Sequence, residues 1–229
     1  MAEKLEAVAG VLPHILRHEV FYIGPIPVTS TVVNTWLVMI ALFIGVWLLT
    51  RKGFKEVPTG IQCILEAIVE FIYSIIDSGF GRQGRRFVPI IGGYFLFILA
   101  MNISWFIPDL VPPTTDIMTT AALGISALVV VHATAIYEKG LGGYLKQFVS
   151  PNPILLPMNI LEELIKPFSL ALRLFGNMFG EKMVTSIIFV LVPLFAPVPV
   201  MALGLLMGAI QAYIFSLLVT TYLAHFHHE

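Results

Sequence analysis

Long stretches of this chain carry no charged side chain, and that limits its possible folds more than any other feature. Ser30 to Thr50 contains no Asp, Glu, Lys or Arg. At about 1.5 Å per helical residue it is long enough to cross a hydrocarbon core of about 30 Å. Trp36 and Trp47 stand toward its two ends, where amphipathic rings favour the membrane–water boundary. Over all 229 residues, 58% are hydrophobic and 12% charged, with a mean hydropathy of +0.91. Soluble domains carry about 25% charged residues, so disorder, nucleic-acid binding and a soluble enzyme are poor readings. The formal net charge of −1 offers no field to a polyanionic partner. A single cysteine, Cys63, excludes an internal disulfide framework and a CxxC metal site. The chain reads as an all-α, polytopic integral membrane protein, a single membrane domain over 1–229.

Residues 1–20 include Glu3, Lys4, Glu6, Arg17 and Glu19 and show no apolar stretch suited to a cleavable signal. Four further crossings follow Ser30–Thr50. Val88 to Ile107 is apolar and stops at Pro108-Asp109; Ile117 to Tyr137 crosses back and ends at Glu138-Lys139-Gly140, ahead of a Gly-rich loop containing Lys146. A stretch from about Asn159 to Val190 would span some ~45 Å as a helix, which predicts strong tilt. After a turn at Pro193, Pro197 and Pro199, Val200 to Ala224 returns as the last long helix of a tilted hairpin. Val57 to Ser78 is different. Gln62, Glu66, Glu70 and Asp77 form one polar stripe on an apolar helix, and Lys or Arg clusters flank both ends. It reads as an in-plane or re-entrant amphipathic helix.

Arg51, Lys52, Lys55, Arg82, Arg85, Arg86, Lys139, Lys146 and Lys166 all fall on one side of this arrangement, while loops 108–116 and 191–199 contain no Lys or Arg. Positive-inside counting then puts residues 1–29 outside as an extracytoplasmic segment, 30–229 in the helical membrane region, and the C-terminus in the cytoplasm.

Polar residues inside such spans carry the functional information. Ser169, Arg173, Asn177 and Glu181 recur every four residues on the penultimate helix. Each step rotates the helix by only ~40°, so Arg173 and Glu181 face within about 80° of each other and lie ~12 Å apart along the axis. Gln211 and Tyr222 occupy the last helix. A buried polar strip along facing helices suits a proton or ion path. Arg173 keeps its proton at any physiological pH, so it attracts carboxylates and blocks conduction but relays no protons. A structural ion pair with Glu181 is the rival account, and ~12 Å exceeds its reach. Gly204 and Gly208 form a GxxxG pair, read either as packing within the chain or as a sliding contact with a partner.

The segment Lys166-Pro-Phe-Ser-Leu-Ala-Leu-Arg-Leu-Phe-Gly-Asn-Met-Phe-Gly180, the block Gln211-Ala-Tyr-Ile-Phe-Ser-Leu-Leu-Val-Thr-Thr-Tyr222, Pro108-Asp109-Leu110, Asp116 and Ile160-Leu-Glu162 together resemble subunit a of the rotary F-type ATP synthase, over nearly the whole chain after residue 30. The resemblance implies that Arg173 faces the carboxylates of the rotating c-ring. It implies an outer half-channel at Asp116, Asn177, Glu181 and Gln211, and a cytoplasmic one at Ser169 and Glu162. Gly204, Gly208 and Tyr222 would form the rotor-facing surface. The implied partners are the c-ring, the peripheral-stalk b subunits and lipid, in a bacterial plasma (inner) membrane. No cofactor or metal is implied, and no GxxxxGK[ST] nucleotide loop is present. The chain would thus be a non-enzymatic, ion-translocating stator subunit coupling proton or sodium flow to ATP synthesis.

Three positions depart from the family pattern. The acidic residue usually nine after the arginine stands eight after it, as Glu181; Met118 replaces a usual Asn; and Gly204 stands where some members carry a protonatable group. One missing residue turns an ideal helix by ~100°. A secondary transporter binding an anionic substrate at Arg173 is the alternative, favoured by internal repeats, of which the sequence has none. His132 admits a channel role or a packing role, His225, His227 and His228 read as a solvated tail, and Lys182 has no assigned role.

Overall fold

The computed structural model describes residues 19–23, 26–51, 60–107, 110–149, 156–192, 195 and 197–228. Most of the N-terminal segment, Lys52, Lys55, Pro108, Asp109 and Pro193 therefore lie outside the described residues, and nothing is described of the Lys146, His227 and His228 side chains. A short antiparallel ribbon, β1 (Glu19–Ile23) with β2 (Ile26–Thr29), pairs Ile23 with Ile26 and Phe21 with Val28. Helices follow: α1 (Ser30–Thr50), α2 (Ile61–Gly79), α3 (Val88–Ile103), α4 (Ile117–Val149), α5 (Leu156–Leu191) and α6 (Pro197–His228), with 3-10 turns at Arg82–Phe87, Ser104–Phe106 and Pro113–Thr115. Five helical stretches are long and apolar enough to cross a membrane, and α2 is not among them. This is the all-α membrane architecture expected from the apolar runs.

Element ends follow local chemistry. Pro197 opens α6 and Pro157 sits at the second position of α5, where the missing N–H costs nothing. Pro167 lies inside α5 and frees the Glu163 backbone carbonyl, which a helix inside a membrane tolerates when neighbouring groups compensate. Gly140 breaks α4: its φ of 73° and ψ of 165° are non-helical, a conformation costly to any side chain with a Cβ. The stretch after it, which composition suggests is a Gly-rich loop, is instead a further helical segment through Val149. Gly142 and Gly143 do not break it, because a helix end can hold weak formers once tertiary contacts exist.

The contacts divide the chain into two compact units. The first holds the ribbon, α1, the end of α3, the start of α4, α5 from Arg173 and α6 through Ala212. Its interior includes Ile98, Met101, Leu174 and Met178 with the polar Asn102 and Gln211. Helix α1 buries only Thr31 and Val38. Asn34 donates to the Val111 carbonyl at 3.0 Å, so α1 is tied near its start while most of its apolar surface remains exposed.

The second unit holds α2, the 3-10 turn after it, the first half of α3, α4 from Ala121, α5 through Leu172 and the end of α6. Here α2 buries Ile72, Ile75 and Ile76 and leaves Glu66 and Glu70 exposed, as the polar stripe requires. Phe71 packs on the rings of Phe95 (5.5 Å) and Tyr213 (5.9 Å). Asp77 accepts from Arg85 at 2.6 and 3.2 Å, which holds its carboxyl below the ordinary carboxylate range. Helices α4 and α5 approach closely at Gly124, where a Cβ would stand 2.6 Å from the Pro167 carbonyl oxygen. A backbone atom cannot swing aside. Gly124→Val is therefore expected to force the helices apart and cost about 1–3 kcal/mol or more, seen as loss of folded protein from detergent-solubilised membranes on gentle heating.

Candidate functional site

Arg173 lies midway along α5 and is exposed, with no ion-pair or hydrogen-bond partner among the described residues. Asn177 and Glu181, one and two turns on, instead face α6: Asn177 Nδ2 donates to Gln211 Oε1 at 3.1 Å, and the Glu181 carboxylate rests on Gly204. The spacing explains the difference. Four-residue steps drift by ~40°, so Arg173 lies ~40° around α5 from Asn177 and ~80° from Glu181, at the exposed edge of the shared face. On α6 the two partners, 204 and 211, are seven residues apart and share a face. No structural ion pair joins Arg173 to Glu181.

The Gly204 contact is intimate. A Cβ built at Gly204 would fall 1.5 Å from Glu181 Oε1, and one at Gly208 would stand 3.0 Å from the Asn102 Cβ. Asn102 Nδ2 also donates to the Gly208 carbonyl at 2.9 Å. Both glycines are buried. Here α3 and α5 occupy the space that the missing side chains open.

Seven buried side-chain atoms have no partner within the described residues, and all belong to this first unit: Asn102 Oδ1, Trp105 Nε1, Thr114 Oγ1, Glu181 Oε1, Lys182 Nζ, Thr185 Oγ1 and Gln211 Nε2. Buried polar atoms are nearly always satisfied by protein or water, so among the described residues it is this unit's interior that has hydrogen-bonding capacity to spare. Lys182 is only 6% exposed and shares a buried face of α5 with Met178 and Thr185.

Asp116 has a different surrounding. It is buried, accepts from Thr31 Oγ1 at 2.9 Å and from the Met118 backbone N–H at 3.0 Å. The second bond makes it the N-cap of α4, and the first ties α1 to that cap. Asp116→Ala should cost about 1 kcal/mol from the lost cap and more from the lost bond to Thr31, whose hydroxyl keeps Thr29 as a partner. Thermal unfolding of the purified protein, with Asp116→Asn retaining part of the stability, checks this.

The second unit holds every ion pair found among the described residues. Lys166 pairs with Glu163 one turn back and with Glu162 at 3.4 Å. Its Nζ also sits 5.2 Å from the centre of the Tyr222 ring, so Tyr222 packs on α5. Glu163 Oε2 lies 3.6 Å from His132 Nε2, and His132 Nδ1 lies 3.2 Å from the Tyr144 hydroxyl. Arg86 pairs with Glu138 at 2.5 Å. A small cavity beside this network is lined by Gly124, Glu163, Lys166, Pro167, Leu170 and Tyr222, among others. Of the residues expected at a cytoplasmic path, Glu162 is 64% exposed at the network's edge and Ser169 is half-buried without a bond to it.

Sequence reasoning passed over Glu163, Tyr144 and Asn102. Glu163 carries a legible signal, its i,i+3 spacing from Lys166. Asn102 stands as a lone amide in an apolar span. Tyr144 has none, because its contact depends on the break at Gly140.

Membrane-length helices with amides, carboxylates and cations held in their interior define an integral membrane protein organised around ionisable side chains. The sequence matches the family described as ATP synthase A chain over residues 32–224. Similar proteins include ATP synthase subunit a of Moorella thermoacetica, 48% identical over 217 residues that cover 95% of this chain and 99% of the relative. Subunit a 1 of Chlorobaculum parvum is 42% identical over 206 residues, covering 88% and 89%. Subunit a 2 of Bradyrhizobium is 39% identical over 203 residues, covering 89% and 91%. The chain belongs to the ATP synthase subunit a family.

Proposed function

We propose that this chain is the ion-conducting stator subunit of a bacterial ATP synthase, working in the plasma membrane against a ring of carboxylate-bearing rotor helices. One observation carries the reading. Arg173 is a permanent cation, exposed midway along a membrane-length helix and unpaired among the described residues. Placing it there costs at least about 2.5–3.5 kcal/mol, and a carboxylate from outside the chain offsets that cost. A rotor carboxylate passing Arg173 is held ionised there, and no ion crosses past the guanidinium. Once neutralised by an ion, the same carboxylate can move through lipid, where its charged form could not.

Two separate access paths then serve the rotor. The Asn177–Gln211 bond and the unpartnered buried atoms Glu181 Oε1 and Gln211 Nε2 support an outer half-channel, entered from the side of the Lys- and Arg-free loops. Asp116 contributes as the cap that fixes the start of α4 beside it in sequence. The ion-pair network of the second unit supports the cytoplasmic half-channel, because Arg82, Arg85, Arg86, Lys139 and Lys166 belong to that unit and positive residues favour the cytoplasm. The N-terminus is then outside and the C-terminus inside. The exposed Glu66 and Glu70 on α2 offer a surface to the peripheral-stalk b subunits. Each charge returning across the membrane yields about 2.3 kcal/mol per 100 mV, so several crossings drive one synthesis event elsewhere in the complex. ATP-driven ion pumping by inverted vesicles carrying Arg173→Ala tests the reading; pumping at the unmodified rate overturns it.

A further inference from the structure

We infer that His132 carries protons in the cytoplasmic half-channel, passing them between Glu163 and the exposed edge of the second unit, with Tyr144 as the residue that positions the imidazole. The inference rests on the stator reading above. Its basis is a connected series of groups. Glu163 Oε2 stands 3.6 Å from Nε2 of His132, a small rotation or one bridging water away from bonding. On the other side of the ring, Nδ1 stands 3.2 Å from the Tyr144 hydroxyl, and the two rings meet edge to face at 5.7 Å.

The chain has been arranged to make the second contact. In a continuous helix, residues twelve apart lie about 18 Å apart along the axis. The positive φ of Gly140 breaks α4 between the two, and only that break lets Tyr144 return to His132. His132 and Glu163 are both largely buried, at 19% and 13% side-chain exposure. Among the groups facing His132 are Tyr144 on its own helix and, from α5, Glu163 with its partner Lys166, whose Nζ lies 5.2 Å from the Tyr222 ring of α6.

An imidazole in this position conducts without net change. As Nε2 takes a proton from the Glu163 carboxyl, Nδ1 releases its own toward Tyr144 and the water beyond; the proton left on Nε2 then exchanges to Nδ1 through water, which restores the first tautomer before the next transfer. Lys166, salt-bridged to both Glu162 and Glu163, places its ammonium beside the Glu163 carboxylate at the start of this series.

The test uses the whole ATP synthase in inverted vesicles, with ATP-driven proton pumping followed from about pH 5.5 to about pH 8.5. His132→Phe and His132→Gln are both expected to lose about a hundredfold in pumping rate, with subunit content unchanged. The unmodified complex should show an inflection in the imidazole range, absent from both variants. Glutamine retains hydrogen bonding and approximate size, so a purely structural histidine would be rescued by it. Tyr144→Phe should shift the inflection while keeping most of the rate. His132→Gln pumping at the full rate with an unaltered pH profile overturns the inference, as does failure of both His132 variants to assemble, which would make the residue structural. Arg173→Ala in the same vesicles separates the two levels. If it pumps normally, the stator reading fails; if it is inactive while His132→Gln is normal, only the role of His132 fails.

Discussion

Replacing Arg173 with alanine is expected to abolish ATP-driven ion pumping by the assembled complex, with no recoverable coupled synthesis. The guanidinium has no partner among the described residues, so its removal disturbs no bond seen there, and the fold should survive intact. A membrane-embedded cation removed from an exposed site even relieves a solvation cost of about 2.5–3.5 kcal/mol on insertion scales. What disappears is the one fixed positive charge that can hold a passing carboxylate in its ionised form. Arg173→Lys is the informative companion. It keeps a charge but lacks the planar fork that engages carboxylate bidentately, and an ammonium can release its proton where a guanidinium cannot. Loss of pumping in both variants, with normal complex assembly, points to a guanidinium-specific contact. Normal pumping in Arg173→Ala would leave the arginine without a role.

Gly204→Ala should be nearly as damaging to pumping, for a steric reason. Its methyl group would fall 1.5 Å from Glu181 Oε1, a separation no pair of nonbonded atoms sustains. The obstructing atom is the end of a flexible side chain, so the helices need not part and the protein should assemble normally. Glu181 must swing away from its seat on α6, out of line with the Asn177–Gln211 pair. A displacement on that scale is expected to reduce ion flux by about a hundredfold, the penalty typical of a misplaced group of ~1 Å. Glu181→Asp shortens the side chain by one methylene, so the double variant Gly204→Ala with Glu181→Asp should recover part of the lost rate. Full activity in Gly204→Ala alone would remove Glu181 from the ion path.

The number of membrane crossings, their approximate ends and the amphipathic character of α2 were legible from the residues, because each depends on local hydrophobicity or on i,i+4 repetition. Ser30–Thr50 is recovered to the residue, since Pro25 and Pro27 precede it and Arg51-Lys52 follow it. Arg173 was legible for the same reason: a guanidinium within an apolar span is anomalous wherever it points. The direction in which side chains point was not legible. Glu181 stands eight residues after Arg173, and periodicity leaves open whether it faces solvent, rotor or α6; α5 runs as an α-helix through this region and delivers its carboxylate onto Gly204. The glycine pair likewise reads as a generic close-packing strip until Glu181 and Asn102 are seen to occupy it.

The amino-acid sequence by itself determined that this protein lives in a membrane, which segments cross it, and that a permanent cation stands among them, because insertion energetics are sums over neighbouring residues. Only the tertiary structure decided which polar groups meet. Asn177 with Gln211, Glu181 with Gly204, Thr31 with Asp116 and His132 with Glu163 are joined across long sequence separations. Their pairing depends on helix rotation, on the close approach at Gly124 and on the break at Gly140, and a rotation of ~100° per residue is too fine for hydrophobic periodicity to resolve.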